Sequence, residues 1–166
     1  MIITGKYPKL RLRRSRQENW SRRLIEESNL SANDLILPIF ITEGNNKKQK
    51  IKNMQNIYRY SLDKLPKIID RAIKLKIPMV ALFPFIEKKL KDNYGSEAIN
   101  ENNLVCRAIK KIKNKYKNKI GIMCDVALDP YTSHGHDGIL QNGKILNDET
   151  NEMLIKQALL LSLIHI

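Results

Sequence analysis

The stretch that decides the fold is Ile120-Gly-Ile-Met-Cys124 together with the run that follows it, Asp125-Val-Ala-Leu-Asp-Pro-Tyr-Thr-Ser-His-Gly-His-Asp-Gly138. The first run is apolar and typical of a buried strand. In the second, three carboxylates, two imidazoles, two aliphatic hydroxyls and a phenol gather within thirteen residues. Such a density of reactive side chains, beginning where a strand ends, is typical of the active site of an α/β protein.

Outward from this stretch, apolar runs alternate with amphipathic segments. Residues 35–41 and 79–85 are continuous apolar runs, as expected of strands buried on both faces of a parallel sheet. Helical spacing of apolar residues begins after Ser61, the expected N-cap, and recurs over about 101–118 and from about Asn147 onward. The predicted order is β-α-β-α-β-loop-α, which indicates a parallel sheet flanked by helices.

Several local features refine this prediction. Asn142-Gly143 predicts a tight hairpin turn. Pro38 is unusual inside an apolar strand, since proline cannot donate to a ladder, but a first strand can tolerate it near a barrel seam or at a strand end. A short helix is expected over 20–27 in the basic N-terminal arm. The predicted inward positions are Leu62, Leu65, Ile69, Ala72 and Ile73 in the helix after Ser61, and Leu104, Val105, Ala108, Ile109, Ile112 and Tyr116 in the next, while the last helix continues through Met153, Leu154, Ala158 and Leu159.

Two architectures fit this alternation, an open doubly wound sheet and a (β/α)₈ barrel. An open sheet often carries a glycine-rich phosphate turn after its first strand, whereas residues 42–46 read Thr-Glu-Gly-Asn-Asn. Both folds place chemistry at the carboxyl ends of strands, so periodicity alone does not decide between them.

Composition excludes several classes of protein. The 166 residues suffice for one domain, and the chain has neither a long apolar run nor an apolar signal sequence. Cys106 and Cys124 fit no metal or redox motif, so a reduced, cytoplasmic protein is expected. We interpret the net charge of +13 as lysine on solvated helix faces, and expect neither a nucleic-acid nor a membrane partner.

The candidate site residues each have more than one interpretation. Asp125 lies inside the predicted third strand, where it is either a structural hydrogen-bonding group or a group aimed at the site. Asp129 and Asp137 could hold a hard cation such as Mg²⁺, or be two solvated loop acids. His134 and His136 lack the further ligands that a zinc site needs, and Cys124 is expected in the core.

The run from Asp125 to Gly138 resembles the metal-loop signature of the porphobilinogen synthase (5-aminolevulinate dehydratase) family. Further similar motifs occur in the family's order along most of the chain. These are Arg11-Leu-Arg-Arg14, Asp34-Leu-Ile-Leu-Pro-Ile-Phe40, Ala81-Leu-Phe-Pro84, Gly95-Ser-Glu-Ala98 and Leu146-Asn-Asp-Glu-Thr150.

The resemblance implies a (β/α)₈ TIM barrel in a homo-octamer with N-terminal arms that wrap neighbouring subunits. Residues 1–34 would be the oligomerisation arm and 35–166 the first half of the barrel. The implied reaction, in haem and other tetrapyrrole biosynthesis, joins two molecules of 5-aminolevulinate into porphobilinogen with loss of two waters. It is a lyase reaction in which two lysines form Schiff bases with the substrates.

The resemblance also assigns residues. Asp125, Ser133 and His134 would lie on the active-site face, although Ser133 and His134 could instead orient the loop. The three zinc-binding cysteines of some members fall on Ala127, Asp129 and Asp137 here. Two carboxylates and a methyl group favour a hard cation over zinc, so Mg²⁺ at Asp129 and Asp137 is expected, with a monovalent cation as the alternative and no further cofactor.

The resemblance ends near Leu159, and residues 160–166 differ from the family. The family's Schiff-base lysines would lie beyond residue 166, and Lys144 and Lys156 are expected on the surface. We therefore expect a fragment of about three β/α units, inactive and aggregation-prone alone because a half barrel leaves sheet edges and an apolar face open. The alternative function is a non-catalytic interaction module that docks through the basic arm.

Overall fold

The computed structural model describes residues 5–165, which divide into two units with their boundary after Ser31. In the N-terminal unit, helix α1 spans Asn19–Leu24 and ends three residues before the predicted helix does. Its apolar side chains are exposed: Trp20 by 63% and Leu24 by 78%. No helix of the described residues is long and apolar enough to cross a membrane.

The second unit is built on a five-stranded sheet with the order β2-β3-β1-β4-β5. Its strands are β1 (Ile36–Thr42), β2 (Lys48–Lys50), β3 (Tyr58–Tyr60), β4 (Met79–Phe85) and β5 (Gly121–Cys124). Strands β3, β1, β4 and β5 are parallel, and β2 is antiparallel to β3. A hairpin of β6 (Ile139–Gln141) and β7 (Lys144–Leu146) follows. The expected α/β class with a parallel sheet is confirmed.

Three helices accompany the sheet: α2 (Leu65–Lys74), α3 (Leu104–Tyr116) and α4 (Asn147–Leu161). All six positions predicted to face inward on α3 are buried, and on α2 Leu65, Ile69 and Ala72 are buried. The buried stripe of α4 runs instead through Thr150, Met153, Gln157 and Leu161, while Leu159 is exposed. Two polar residues in that stripe mean that apolar spacing alone does not identify the inner face of α4.

The core lies between one face of the sheet and the helices. Ile39, Ile41, Val80, Leu82 and Ile122 face it and are buried. The opposite face remains open, and the residues on it include Phe40, Phe83, Phe85 and Met123, the last three at least 36% exposed. There the rings of Phe40 and Phe83 lie 5.6 Å apart, and the Arg59 guanidinium sits 4.0 Å from the Phe85 ring centre.

Three local predictions have clear outcomes. The Asn142-Gly143 turn is confirmed, with φ of 50° and 74°, the left-handed pair that a tight hairpin requires. Ser61 occupies the predicted N-cap position, at the start of the 3₁₀ turn Leu62–Lys64 that leads into α2, but its hydroxyl accepts from the Lys47 amide at 2.8 Å and makes no cap bond. The placement of Asp125 inside the third strand is wrong, because β5 ends at Cys124 and Asp125 is exposed in the loop.

Candidate active site

The loop that links β5 to the hairpin carries the polar residues singled out from the sequence. Ala127, Leu128, Tyr131 and Thr132 are buried and anchor the loop. The functional candidates around these anchors are more accessible: Asp125, Asp129, Ser133 and Asp137 are exposed, and His134 is half-buried. The loop therefore exposes most of its reactive groups to solvent while its buried residues hold it in place.

Hydrogen bonds within the loop fix its path. The Leu128 amide donates to Asp137 Oδ1 at 2.5 Å. This hydrogen bond joins the end of the loop to its beginning. The Thr132 hydroxyl donates to the His136 carbonyl at 2.9 Å. At the end of the loop, a Cβ on Gly138 would come within 2.8 Å of Ile145 Cγ2, which explains glycine at this position.

A second loop, after β4, lies against the first. Asp92 and Thr132 form a parallel bridge, and the Ser133 amide donates to the Asp92 carbonyl at 2.8 Å. Ser133 Oγ lies 2.6 Å from Asn93 Oδ1, and His134 Nε2 lies 3.3 Å from the Asn93 carbonyl. Asn93 thus contacts both Ser133 and His134, and no pattern in the sequence indicates these contacts.

The carboxylate of Asp92 organises this second loop. Its Oδ1 accepts from the amides of Tyr94 at 2.9 Å and Ser96 at 3.0 Å. Gly95 between them has a φ of 67°, a left-handed conformation that glycine adopts without strain. Burial opposes ionisation of Asp92, but hydrogen bonds from Ser96, Tyr94 and Gly95 hold its pKa below the ordinary value. Asp92 therefore supports the loop as an ionised group.

The carboxylate of Asp129 is affected by burial and by the charges of the two other loop carboxylates. Partial burial raises the pKa of Asp129 above its usual range, and the charges of Asp137 and then Asp125 raise it further. The charge of Asp137 therefore acts on Asp129, and that of Asp125 acts on it less. Across residues 5–165, however, no three His, Cys, Asp or Glu side chains are grouped so as to hold a metal ion.

The two histidines, Cys124 and the two lysines singled out from the sequence differ in burial and contacts. The rings of His134 and His136 lie 5.5 Å apart, and the His136 amide lies 3.2 Å from His134 Nδ1. Cys124 is half-buried against the core, as predicted, and burial raises the pKa of its thiol to about 12. Lys144 and Lys156 are exposed, as predicted.

One ion pair at the carboxyl end of β1 was not predicted. Glu43, directly after Thr42, pairs with the Arg107 guanidinium on α3. Arg107 Nε also donates to the Asn102 carbonyl at 2.9 Å. These contacts join the end of β1 to the start of α3. Polar or charged side chains therefore follow the carboxyl ends of β1, β4 and β5.

Comparison with known proteins places this arrangement in a family. A sequence model of the family described as "Delta-aminolevulinic acid dehydratase" matches residues 9–163, so the similarity continues past Leu159, where it was expected to end. Curated relatives of that name are 50% identical in Bradyrhizobium diazoefficiens, over 90% of this chain and 42% of the relative, and 46% identical in Chlamydia pneumoniae, over 84% and 42%.

Solved structures agree. A delta-aminolevulinic acid dehydratase (porphobilinogen synthase) from Toxoplasma gondii, crystallised with the reaction product porphobilinogen, superposes with a TM-score of 0.85 at 34% identity. The match covers 92% of this chain and 44% of that one. This chain thus spans a little under half the length of the relatives named here. With the loop after β5, the parallel sheet and nearly the whole sequence in agreement, the chain belongs to the delta-aminolevulinic acid dehydratase (porphobilinogen synthase) family.

Proposed function

We propose that this chain forms the N-terminal part of a porphobilinogen synthase, a cytoplasmic lyase that condenses two molecules of 5-aminolevulinate into porphobilinogen with loss of two waters. The observation that carries the proposal is the loop from Asp125 to Gly138, which begins at the carboxyl end of β5 and is pinned to the loop after β4. In a parallel α/β protein, that edge of the sheet is where active sites are built.

The open face of the sheet supports a closed (β/α)₈ barrel in the whole protein. Phe83, Phe85 and Met123 are exposed side by side on this face, and a soluble protein rarely leaves such a patch uncovered. On the side away from β4, β1 pairs with β3 only through Phe40 and Ile41. The rest of that edge of β1 has room for another strand. Further parallel strands that pair there and beside β5 would turn this face into the barrel interior.

Within that barrel we assign Asp125, Ser133 and His134 to the active-site face. Asp125 is an exposed carboxylate directly after β5, suited to accept a hydrogen bond from a substrate amine. Ser133 and His134 are held by Asn93, so they can orient substrate polar groups with little reorganisation. The Schiff-base lysines belong to later strands, so the 166-residue chain alone is expected to form no porphobilinogen.

We propose that Asp129 and Asp137 bind Mg²⁺ in the assembled enzyme, and that zinc is not used at these positions. Mg²⁺ commonly binds through one or two carboxylates and keeps several waters, so this pair is sufficient. Burial first, and then the charge of Asp137, raise the pKa of Asp129, and a bound cation would relieve the repulsion between these two carboxylates. When bound, the cation would polarise a substrate or water oxygen as a Lewis acid.

The N-terminal unit is proposed to be an assembly arm of a homo-octamer. Trp20 and Leu24 on α1 are large apolar side chains that are mostly exposed, as a segment that docks on another subunit requires. A nucleic-acid-binding arm would instead bind with steep salt dependence, which a titration of short DNA and RNA against salt would reveal.

The proposal is tested with a chimera in which residues 9–163 of this chain replace the matching segment of the Bradyrhizobium diazoefficiens relative. We expect the chimera to restore growth of a bacterial strain that lacks porphobilinogen synthase. Chelator should reduce its activity, and Mg²⁺ should restore it. An Asp129→Ala, Asp137→Ala chimera with undiminished activity in chelator would refute the cation assignment while leaving the enzymatic one intact.

A further inference from the structure

Gln157 is a fully buried polar residue on α4 that sequence spacing does not single out. Its exposed fraction is 0%, and its Nε2 donates to the carbonyl oxygen of Ala127, thirty residues earlier, at 3.0 Å. Within the described part of the chain, its Oε1 has no hydrogen-bond partner. Burying an amide in this way is costly, so an apolar residue of similar size would serve α4 better if packing were its only task.

The carbonyl that Gln157 holds belongs to the same peptide group as the amide that holds Asp137. The Ala127–Leu128 peptide accepts from Gln157 through its C=O and donates to Asp137 Oδ1 through its N–H, at 2.5 Å. Because a peptide group is planar, fixing the direction of the C=O also fixes the direction of the N–H. A hydrogen bond to the carbonyl also polarises the group and makes its N–H a stronger donor.

This chain of contacts is shielded at its inner end. Ala127 and Leu128 are 7% and 0% exposed, so water does not readily replace Gln157 as the donor to the carbonyl. Asp137, at the outer end, is exposed and interacts electrostatically with Asp129. A buried side chain is thus connected through one peptide group to a carboxylate at the candidate site.

We propose that Gln157 is a positioning residue that sets the orientation of Asp137 through the Ala127–Leu128 peptide. Asp137 is thus held in place by α4, through the peptide group between them. The consequence for cation binding rests on the proposed function, whereas the positioning itself does not.

The experiment measures hydrogen exchange of the Leu128 amide in the 166-residue chain by mass spectrometry, in the wild type and in Gln157→Met. Methionine has nearly the same volume but cannot donate. We expect Leu128 exchange to accelerate about tenfold, the effect of leaving a buried carbonyl unpaired. The amide of Ile109 in the core should change much less. Gln141→Met, on the exposed end of β6, is the matched control and should change neither.

A double-mutant cycle separates positioning from general packing. If Gln157 acts through the peptide on Asp137, the tenfold effect of Gln157→Met should shrink to less than threefold in an Asp137→Ala background. The same factor in both backgrounds, or no acceleration in the first, would overturn the proposal. Neither result depends on Mg²⁺ or substrate, so failure of the proposed enzymatic function would not affect this readout.

Gln157→Glu keeps the test decisive if the methionine variant loses its fold. A buried glutamic acid has a raised pKa and, while protonated, can donate to the Ala127 carbonyl as glutamine does. After correction for intrinsic exchange, Leu128 protection should match wild type in mild acid and fall once the new carboxyl ionises. Protection that stays equal to wild type after ionisation would contradict the proposal.

Discussion

Asn103 should be among the most sensitive polar positions of the second unit. It is 1% exposed and caps α3, where its Oδ1 accepts from the Cys106 amide at 2.8 Å. Its Nδ2 lies 3.3 Å from the Glu97 carbonyl and 3.4 Å from that of Ala98, both in the turn that ends the loop after β4. Asn103→Ala would therefore uncap a core helix and release a loop that borders the candidate site.

The cost follows from these three contacts. Loss of an N-cap costs about 1 kcal/mol in helices of ordinary exposure, and toward 2 kcal/mol here because the Cys106 amide is left buried without a partner. The two Nδ2 contacts are long, so together they add about 0.5–1 kcal/mol. We expect Asn103→Ala to lower the free energy of unfolding by about 2–3 kcal/mol. Asn103→Ser, which retains the cap oxygen, should cost about 1 kcal/mol.

The assay is urea unfolding followed by far-ultraviolet circular dichroism at low protein concentration. With a slope of about 2 kcal/mol per molar urea, the midpoint should fall by about 1–1.5 M for Asn103→Ala. Asn102→Ala is the control, since the exposed Asn102 makes its hydrogen bonds through its backbone, and it should change stability by less than about 0.5 kcal/mol. Equal midpoints for the two alanine variants would refute the capping argument.

Three further predictions concern charge and exposed surface. Because the folded-state pKa of Asp129 is raised, the folded chain binds this proton more tightly than the unfolded chain, so the contribution of Asp129 to stability should fall as pH rises from the ordinary value of 3.8 through the raised one. Relative to wild type, the urea midpoint of Asp129→Asn should therefore rise with pH across this window; a difference between the two that does not change with pH would exclude this effect of Asp129. Arg107→Met should cost only about 1 kcal/mol or less, because the side chains of the Glu43 pair are 40% and 32% exposed; a loss above about 3 kcal/mol would contradict this. The chain should self-associate through its open sheet face, and light scattering should fall for a Phe83→Thr, Met123→Thr variant; a wild-type chain that stays monodisperse as its concentration is raised would count against this.

Where burial is apolar, sequence patterns predict this fold well. The inward face of α3, the limits of β4 and the Asn142-Gly143 turn all follow from apolar spacing or turn chemistry. Strands β2 and β3 do not, because Lys-Gln-Lys and Tyr-Arg-Tyr are three-residue segments without an apolar run. They form because each finds a partner strand, which is a tertiary effect.

The sequence also predicts only part of the candidate site. Its residue types stand out in the sequence because carboxylates, imidazoles and hydroxyls cluster after an apolar strand. Their supports do not: Asn93 acts from forty residues away and Gln157 from the inside of α4. A buried glutamine has the sequence signature of a surface residue, so only the fold shows that it faces the core.

The most direct test of the central claim is the rate at which the purified chimera forms porphobilinogen from 5-aminolevulinate. The account predicts a rate within about tenfold of the Bradyrhizobium diazoefficiens relative, because the two sequences are 50% identical over the 150 residues that align, and no product from the 166-residue chain alone. A folded chimera that forms no porphobilinogen while the relative remains active would contradict the claim that this segment is the N-terminal part of a porphobilinogen synthase.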